Sequence, residues 1–176
     1  MHSVDRARQL RNAFGRFASG VTVVTTYHDG KVHGMTANAF ISVSLDPPLV
    51  LVSVDRKASM HELLPVTRRY GVSVLAEDQE ELSRHFGGGH IEGLDVRFVT
   101  RRNIPVVEGA LAQFVVEVTD VHPAGDHTLY IGRVEHFEFR EGRPLVFHSG
   151  RYRQLEIEAT ISGKDRQEAV REETLT

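Results

Sequence analysis

The chain has 176 residues, of which 40% are hydrophobic and 26% charged, and these values fit one folded domain with its own core. Its formal net charge of −3 provides no overall positive field, so we expect no binding to nucleic acid or to a membrane surface. The absence of cysteine excludes disulfides, thiolate catalysis and cysteine-type zinc sites.

The N-terminal segment predicts a helix and not a targeting signal. MHSVDRARQL lacks the apolar centre of a signal peptide, and no later run is apolar enough to cross a membrane, so we expect a cytoplasmic protein. Apolar residues recur at steps of three and four between arginines, which predicts an amphipathic helix whose apolar side packs into the core. They are Val4, Ala7, Leu10, Phe14 and Phe17.

The following segments have strand character. Residues 21–27 are rich in β-branched side chains and lead into Asp29-Gly30, so a hairpin is predicted there. A further strand is predicted at 39–44. Residues 49–54 are apolar at nearly every position, which predicts a central strand covered on both faces.

Two short helices are predicted next. Residues 57–64 form the first, which we expect Pro65 to end because proline lacks the backbone N–H. A strand at 70–75 precedes the second helix, at 77–86, which begins with acidic residues and ends at three glycines.

The remaining chain alternates between irregular and strand patterns. Residues 90–108 show no clean period and predict a mobile loop with short pieces of structure. Strands are predicted at 112–118 and 127–139, with Gly132 as a bulge. A polar tail is predicted at 156–176.

Many hairpin-joined strands with few flanking helices predict a mainly β fold, an antiparallel barrel over residues 1–155. No G-x-G-x-x-G follows a strand, so the chain cannot hold a nicotinamide dinucleotide in the Rossmann manner. GRFASG has the glycine spacing of a Walker loop, but Val21-Thr22 follow where lysine and a hydroxyl residue are needed. The histidines are not at zinc-motif spacing, and no metal site is predicted.

Two polar clusters have the composition that a flavin requires. A planar ring needs backbone N–H groups and small side chains along one edge, and its phosphate needs hydroxyls, amides and a cation. The first cluster is Met35, Thr36, Ala37, Asn38 and Ala39, and the second contains Ser53, Asp55, Lys57 and Ser59 at the start of a predicted helix. The same residues also fit an edge strand and a solvated helix cap, and composition alone leaves both interpretations open.

Five segments, taken in order, resemble the short-chain flavin reductase family. They are FASGVTVVTT, GMTANAFISVSLDPPLVLVSVDRKAS, HFGGG, AGDHTLYIGRVEHF and PLVFHSGRYRQL. The resemblance covers about residues 8–155. The resemblance implies the FMN-binding split-barrel fold. It also implies an NAD(P)H:flavin oxidoreductase that reduces FMN or FAD with NADH or NADPH and supplies reduced flavin to a separate monooxygenase. A homodimer is implied, with flavin near the subunit interface and the opening helix or the 90–108 loop at the contact.

The resemblance further assigns roles to individual residues. Seven residues are similar to those that hold the flavin ring and ribityl chain: Met35, Thr36, Ala37, Asn38, Ser53, Val54 and Asp55. Lys57 and Ser59 match residues near the flavin phosphate. His85 and Phe86 match residues that close over the flavin. His127 matches the histidine associated with nicotinamide binding, and His148, Arg151 and Tyr152 match a segment of the same pocket. Ala39 stands where the family commonly has serine, and Ser53 where it often has cysteine.

The implied reaction is hydride transfer from nicotinamide C4 to flavin N5, which needs the reacting atoms about 3–3.5 Å apart. The main alternative is a split-barrel protein that binds FMN tightly and acts as an electron carrier or sensor without exchanging flavin. An oxidase similar to the pyridoxamine-phosphate oxidases is a further alternative, but the sequence has no dense basic cluster for a second phosphate.

Overall fold

Twelve strands and three α-helices make up most of residues 3–156, the part of the chain that the computed structural model describes. The strands are β1 (Ser19–Gly20), β2 (Thr22–His28), β3 (Lys31–Ala37), β4 (Phe40–Leu45), β5 (Pro48–Asp55), β6 (Arg69–Val74), β7 (Phe98–Arg101), β8 (Ile104–Val107), β9 (Ala112–Ala124), β10 (His127–Phe139), β11 (Val146–His148) and β12 (Arg151–Arg153). The helices are α1 (Ser3–Phe14), α2 (Ser59–Thr67) and α3 (Glu80–Phe86), and a 3₁₀ turn at Glu77–Gln79 precedes α3. The predicted tail beyond residue 156 lies outside the described residues.

Seven strands form one antiparallel sheet in the order β3-β2-β6-β9-β10-β5-β4. A three-stranded sheet, β1-β11-β12, and the hairpin β7-β8 complete the architecture. Ala37 of β3 and Val54 of β5 belong to one buried cluster, although their strands stand near opposite ends of the sheet order. The sheet therefore curls into a split barrel, and the prediction of a mainly β, antiparallel fold is confirmed.

Strand β5 differs from its prediction. Val50, Val52 and Val54 are buried in the core, but the alternate residues are only half-buried. The strand also lies beside the edge strand β4 and not at the centre of the sheet. An apolar run predicts a strand well, but it cannot tell whether the second face is covered by the same chain.

Helix α2 continues through Pro65 to Thr67, so the prediction that proline ends it is wrong. Proline removes the hydrogen bond that the carbonyl of residue i−4 would accept, here that of His61. The hydroxyl of Tyr130 donates to this carbonyl at 3.3 Å and replaces the missing partner. Met60 and Leu64 meanwhile anchor the helix in the core. Arg68, directly after the last helical residue Thr67, has a left-handed φ of 58°, which stops the helix there.

The region predicted as a long loop contains the hairpin β7-β8. All four residues of β8, Ile104–Val107, are buried, so the irregular part is confined to residues 90–97. A short strand that is buried throughout has no alternation of polar and apolar residues, which is why its pattern was missed. The bulge predicted at Gly132 is confirmed by the register shift between Ile131 and Gly132.

Helix α1 forms as predicted, but its apolar side does not enter the core of the chain. Leu10 is 51% exposed and Phe14 69%, and Phe17, which was predicted to continue the helix but follows its end, is 82% exposed. The segment is attached at its end, where the backbone N–H of Ser149 donates to the carbonyl of Gly15 at 2.8 Å. None of the described helices is long and apolar enough to span a bilayer.

Candidate functional site

Three distant segments meet at Ser83 of α3, whose side chain is fully buried. Its carbonyl accepts a hydrogen bond from Thr36 Oγ1 at 2.6 Å, and its Oγ shares a hydrogen bond with the Tyr152 hydroxyl at 2.7 Å. Thr36 and Tyr152 lie 47 and 69 positions from Ser83 along the chain. The fold thus brings together two residues that the sequence assigned to different parts of the site.

A cavity of about 170 Å³ lies at this meeting point. It is lined by Val21, Thr36, Asn38, Ser83, Phe147 and Tyr152. The Tyr152 ring packs edge-on against Phe147 at 5.3 Å between centroids, and the Arg84 guanidinium lies 4.8 Å from the Tyr152 centroid. These two contacts fix the position of the Tyr152 ring.

The backbone around Asn38 is fixed while the Asn38 side chain stays available. The carbonyl of Ala37 accepts a hydrogen bond from Thr22 Oγ1 at 2.7 Å, and the carbonyl of Ala39 accepts one from the Ser53 N–H at 3.1 Å. Asn38 is exposed, and its side-chain amide makes no hydrogen bond to the described residues. Met35, by contrast, packs against the hydrophobic core.

The contact between Ala39 and Ser53 joins this cluster to the end of β5, where His127 begins the neighbouring strand. His127 pairs with Asp55 in the sheet register, and the Arg56 N–H donates to the Asp126 carbonyl at 3.0 Å. His127 Nδ1 lies 2.7 Å from Asp126 Oδ1. This hydrogen bond, with the charge of the ring, lowers the pKa of Asp126 below its usual value.

Helix α2 begins directly after this point and is not capped by a side chain. Asp55 Oδ1 accepts the Lys57 N–H at 2.8 Å, whereas the N–H groups of Ser59 and Met60 find no acceptor among residues 3–156. The Lys57 and Ser59 side chains are exposed beside them. Val54 is fully buried, so only its backbone can face a ligand.

His85 and Phe86 make contacts with the protein itself. A Cβ atom on Gly34 would lie 2.6 Å from the Phe86 ring, so the glycine permits this close packing. His85 Nδ1 accepts the Ile91 N–H at 3.1 Å, and its ring lies 4.7 Å from that of His90. These residues attach the end of α3 to the segment that follows it.

The turn between β11 and β12 carries the last predicted residues. His148 is half-buried, with Nε2 3.4 Å from Ser149 Oγ, and Arg151 is exposed. Sequence reasoning missed Ser83 and Phe147, because a serine inside a helix and an apolar residue in a strand have no distinguishing local signal. Asp126 was recognisable only as part of the Gly-Asp-His turn.

This arrangement defines a class of protein: a small antiparallel split barrel with a cavity, lined by polar and apolar residues, beside its sheet. A family model described as flavin reductase like domain matches residues 14–156. The chain belongs to this family, and the predicted resemblance is confirmed.

Relatives of known activity cover most of the chain. An NADH-dependent flavin reductase from a Rhodococcus species is 56% identical over 151 residues, which are 84% of this chain and 86% of the relative. The reductase component of 4-hydroxyphenylacetate 3-monooxygenase from Thermus thermophilus is 40% identical over 147 residues, 83% of this chain and 95% of the relative.

Solved structures agree with the fold. The flavin reductase PheA2 in its native state superimposes with a TM-score of 0.84 at 48% identity, covering 89% of this chain and 100% of that one. The NADH:FAD oxidoreductase SgcE6 from Streptomyces globisporus, in complex with NAD and FAD fragments, gives a TM-score of 0.83 at 36% identity, covering 90% and 98%.

Proposed function

We propose that this chain is an NADH-dependent flavin reductase that reduces FMN or FAD and releases the reduced flavin to a separate monooxygenase. The proposal is carried by the similarity to a relative named NADH-dependent flavin reductase, to which the chain is 56% identical over 86% of that relative's length. Relatives named as reductase components of monooxygenases support the transfer to a separate enzyme. The alternative, an electron carrier or sensor that binds FMN tightly, is less favoured, because the relatives are named as reductases.

The polar groups of the chain fit a flavin at both of its ends. The free amide of Asn38 and the small residues beside it suit a planar ring with hydrogen-bonding edges. The phosphate is matched by the Lys57 ammonium, the Ser59 hydroxyl and the N–H groups of Ser59 and Met60 at the start of α2, which find no acceptor among the described residues. We therefore assign the ring to the cluster around Asn38 and the phosphate to the start of α2.

When bound, the flavin accepts a hydride from the nicotinamide and carries the two electrons away. The contribution of the protein is to hold both rings in position. Asp126 is a carboxylate at neutral pH, as an ordinary aspartate is, and its lowered pKa extends the ionised form to more acidic pH; a carboxylate can only accept hydrogen bonds. His127 Nδ1 therefore donates to Asp126, and Nε2 is left for a hydrogen bond with the carboxamide of nicotinamide.

A homodimer is part of the proposal. The edge strand β4 exposes Ile41 by 56%, Val43 by 47% and Leu45 by 95%, and apolar side chains gathered on an edge strand are typical of a surface that a partner covers. Leu45→Glu should convert a dimer to a monomer in analytical ultracentrifugation. Phe139→Glu, a matched change at an exposed position outside β4, should leave the mass unchanged.

The test of the function is NADH oxidation by protein from which flavin has been removed. Activity that returns with FMN or FAD, and that is much lower with NADPH than with NADH, is the expected result. Protein that keeps its flavin through purification and oxidises no NADH would instead support the electron carrier.

A further inference from the structure

A groove of about 580 Å³ lies between the end of α1 and the turn that joins β11 to β12. The hydrogen bond from the Ser149 N–H to the Gly15 carbonyl connects its two walls. Ser149 and Gly150 both have positive φ, at 51° and 76°, and Gly150 adds no side chain to the groove. The two walls are therefore connected by a backbone hydrogen bond.

The wall formed by the end of α1 and the residues that follow it is cationic. Arg11 and Arg16 line the groove, are exposed, and form no ion pair with any of residues 3–156. Other arginines of the chain, such as Arg69 and Arg133, do pair with glutamates. Two unpaired guanidinium groups beside a groove, in a chain whose net charge is −3, are the groups that a phosphate-bearing ligand needs.

The same wall is aromatic. Phe14 and Phe17 line the groove and are 69% and 82% exposed. Exposed aromatic rings beside arginines bind the faces of nucleobases by stacking.

The groove opens onto the proposed flavin site. Asn38 and Phe147 line both the groove and the smaller cavity that contains Thr36 and Tyr152. A nicotinamide stacked on a flavin ring in that cavity could therefore place the rest of its dinucleotide beside α1.

We propose that this groove binds the adenosine diphosphate half of a dinucleotide, with Arg11 and Arg16 on the pyrophosphate and Phe14 or Phe17 against the adenine. The inference rests on the proposed function, because it takes the cavity beside Asn38 as the flavin site. NADH and FAD both carry this group. No residue of α2 lines the groove, and the flavin phosphate is assigned to α2, so NADH is the favoured source.

The test uses Arg11→Gln/Arg16→Gln and a control, Arg6→Gln/Arg8→Gln, which removes the same charge from α1 outside the groove. The groove variant should bind ADP at least about fivefold more weakly in isothermal titration calorimetry, because two exposed charge contacts are lost. Its KM for NADH should rise by about the same factor while kcat changes less than twofold. Reduced nicotinamide mononucleotide, which lacks the adenylate, should show no such rise.

The arms separate the two sources. If the groove variant has a raised KM for NADH alone, the bound adenosine diphosphate group belongs to NADH. If its KM is raised for FAD but not for FMN or NADH, the group belongs to FAD. Both results support binding of this group in the groove. Equal effects in groove and control variants, or an equal rise for the mononucleotide, would overturn it. If wild-type protein binds ADP in an Arg11- and Arg16-dependent way but reduces no flavin, the proposed function fails while the groove assignment stands.

Discussion

Removing the Tyr152 hydroxyl tests the contact that connects the C-terminal segment to the cofactor site. Ser83 is fully buried, and its Oγ has the Tyr152 hydroxyl as partner at 2.7 Å. In Tyr152→Phe this Oγ is left buried without that partner, which costs about 1–2 kcal/mol of unfolding free energy. For a chain of this size the melting temperature should fall by about 2–8 °C.

The assay is thermal unfolding at one protein concentration without added flavin, compared with Tyr27→Phe. Tyr27 is 54% exposed and its hydroxyl bonds to none of the described residues, so this control should match wild type. Ser83→Ala/Tyr152→Phe should cost no more than Tyr152→Phe alone, because no orphaned hydroxyl remains. Equal melting temperatures of Tyr152→Phe and Tyr27→Phe would refute the reasoning. It would also be refuted if the double variant lost the sum of the unfolding free energies that Ser83→Ala and Tyr152→Phe lose separately.

Four further outcomes follow from the geometry. His127→Ala should raise KM for NADH about tenfold and leave KM for flavin unchanged; equal loss of both in steady-state kinetics would contradict its role. Asn38→Leu should abolish flavin binding in fluorescence titrations of a folded protein, and unchanged affinity would remove Asn38 from the site. Lys57→Gln should raise KM for FMN but not for riboflavin, whereas parallel changes would exclude a phosphate contact. Gly132→Val should yield unfolded protein by circular dichroism, because even a Cβ would lie 2.3 Å from Val116, and native melting would disprove this packing.

The strands that sequence reasoning placed correctly have a visible local cause. β-Branched residues and the Asp29-Gly30 turn determine the β2-β3 hairpin, and alternation determines β9. Helix α2 was misjudged because its continuation past Pro65 depends on Tyr130, a residue far away in sequence. Sequence propensities therefore predict local elements, but contacts between residues far apart in sequence can change where such an element ends.

The candidate site shows the same division. The cluster around Asn38 and the His127 turn were visible as polar residues at strand ends, and the resemblance of five ordered segments gave them a role. Ser83 had no signal, since its two partners come together only in the folded chain. The exposed side of α1 was assigned to the core because periodicity identifies an apolar face without identifying what covers it.

The most direct test of the central claim is the rate of NADH oxidation as FMN or FAD is raised well above the protein concentration. A diffusible-flavin reductase predicts a rate that keeps rising beyond one flavin per chain and then saturates, with reduced flavin accumulating in anaerobic solution. A rate that stops rising at stoichiometric flavin, with no reduced flavin released, would contradict the account.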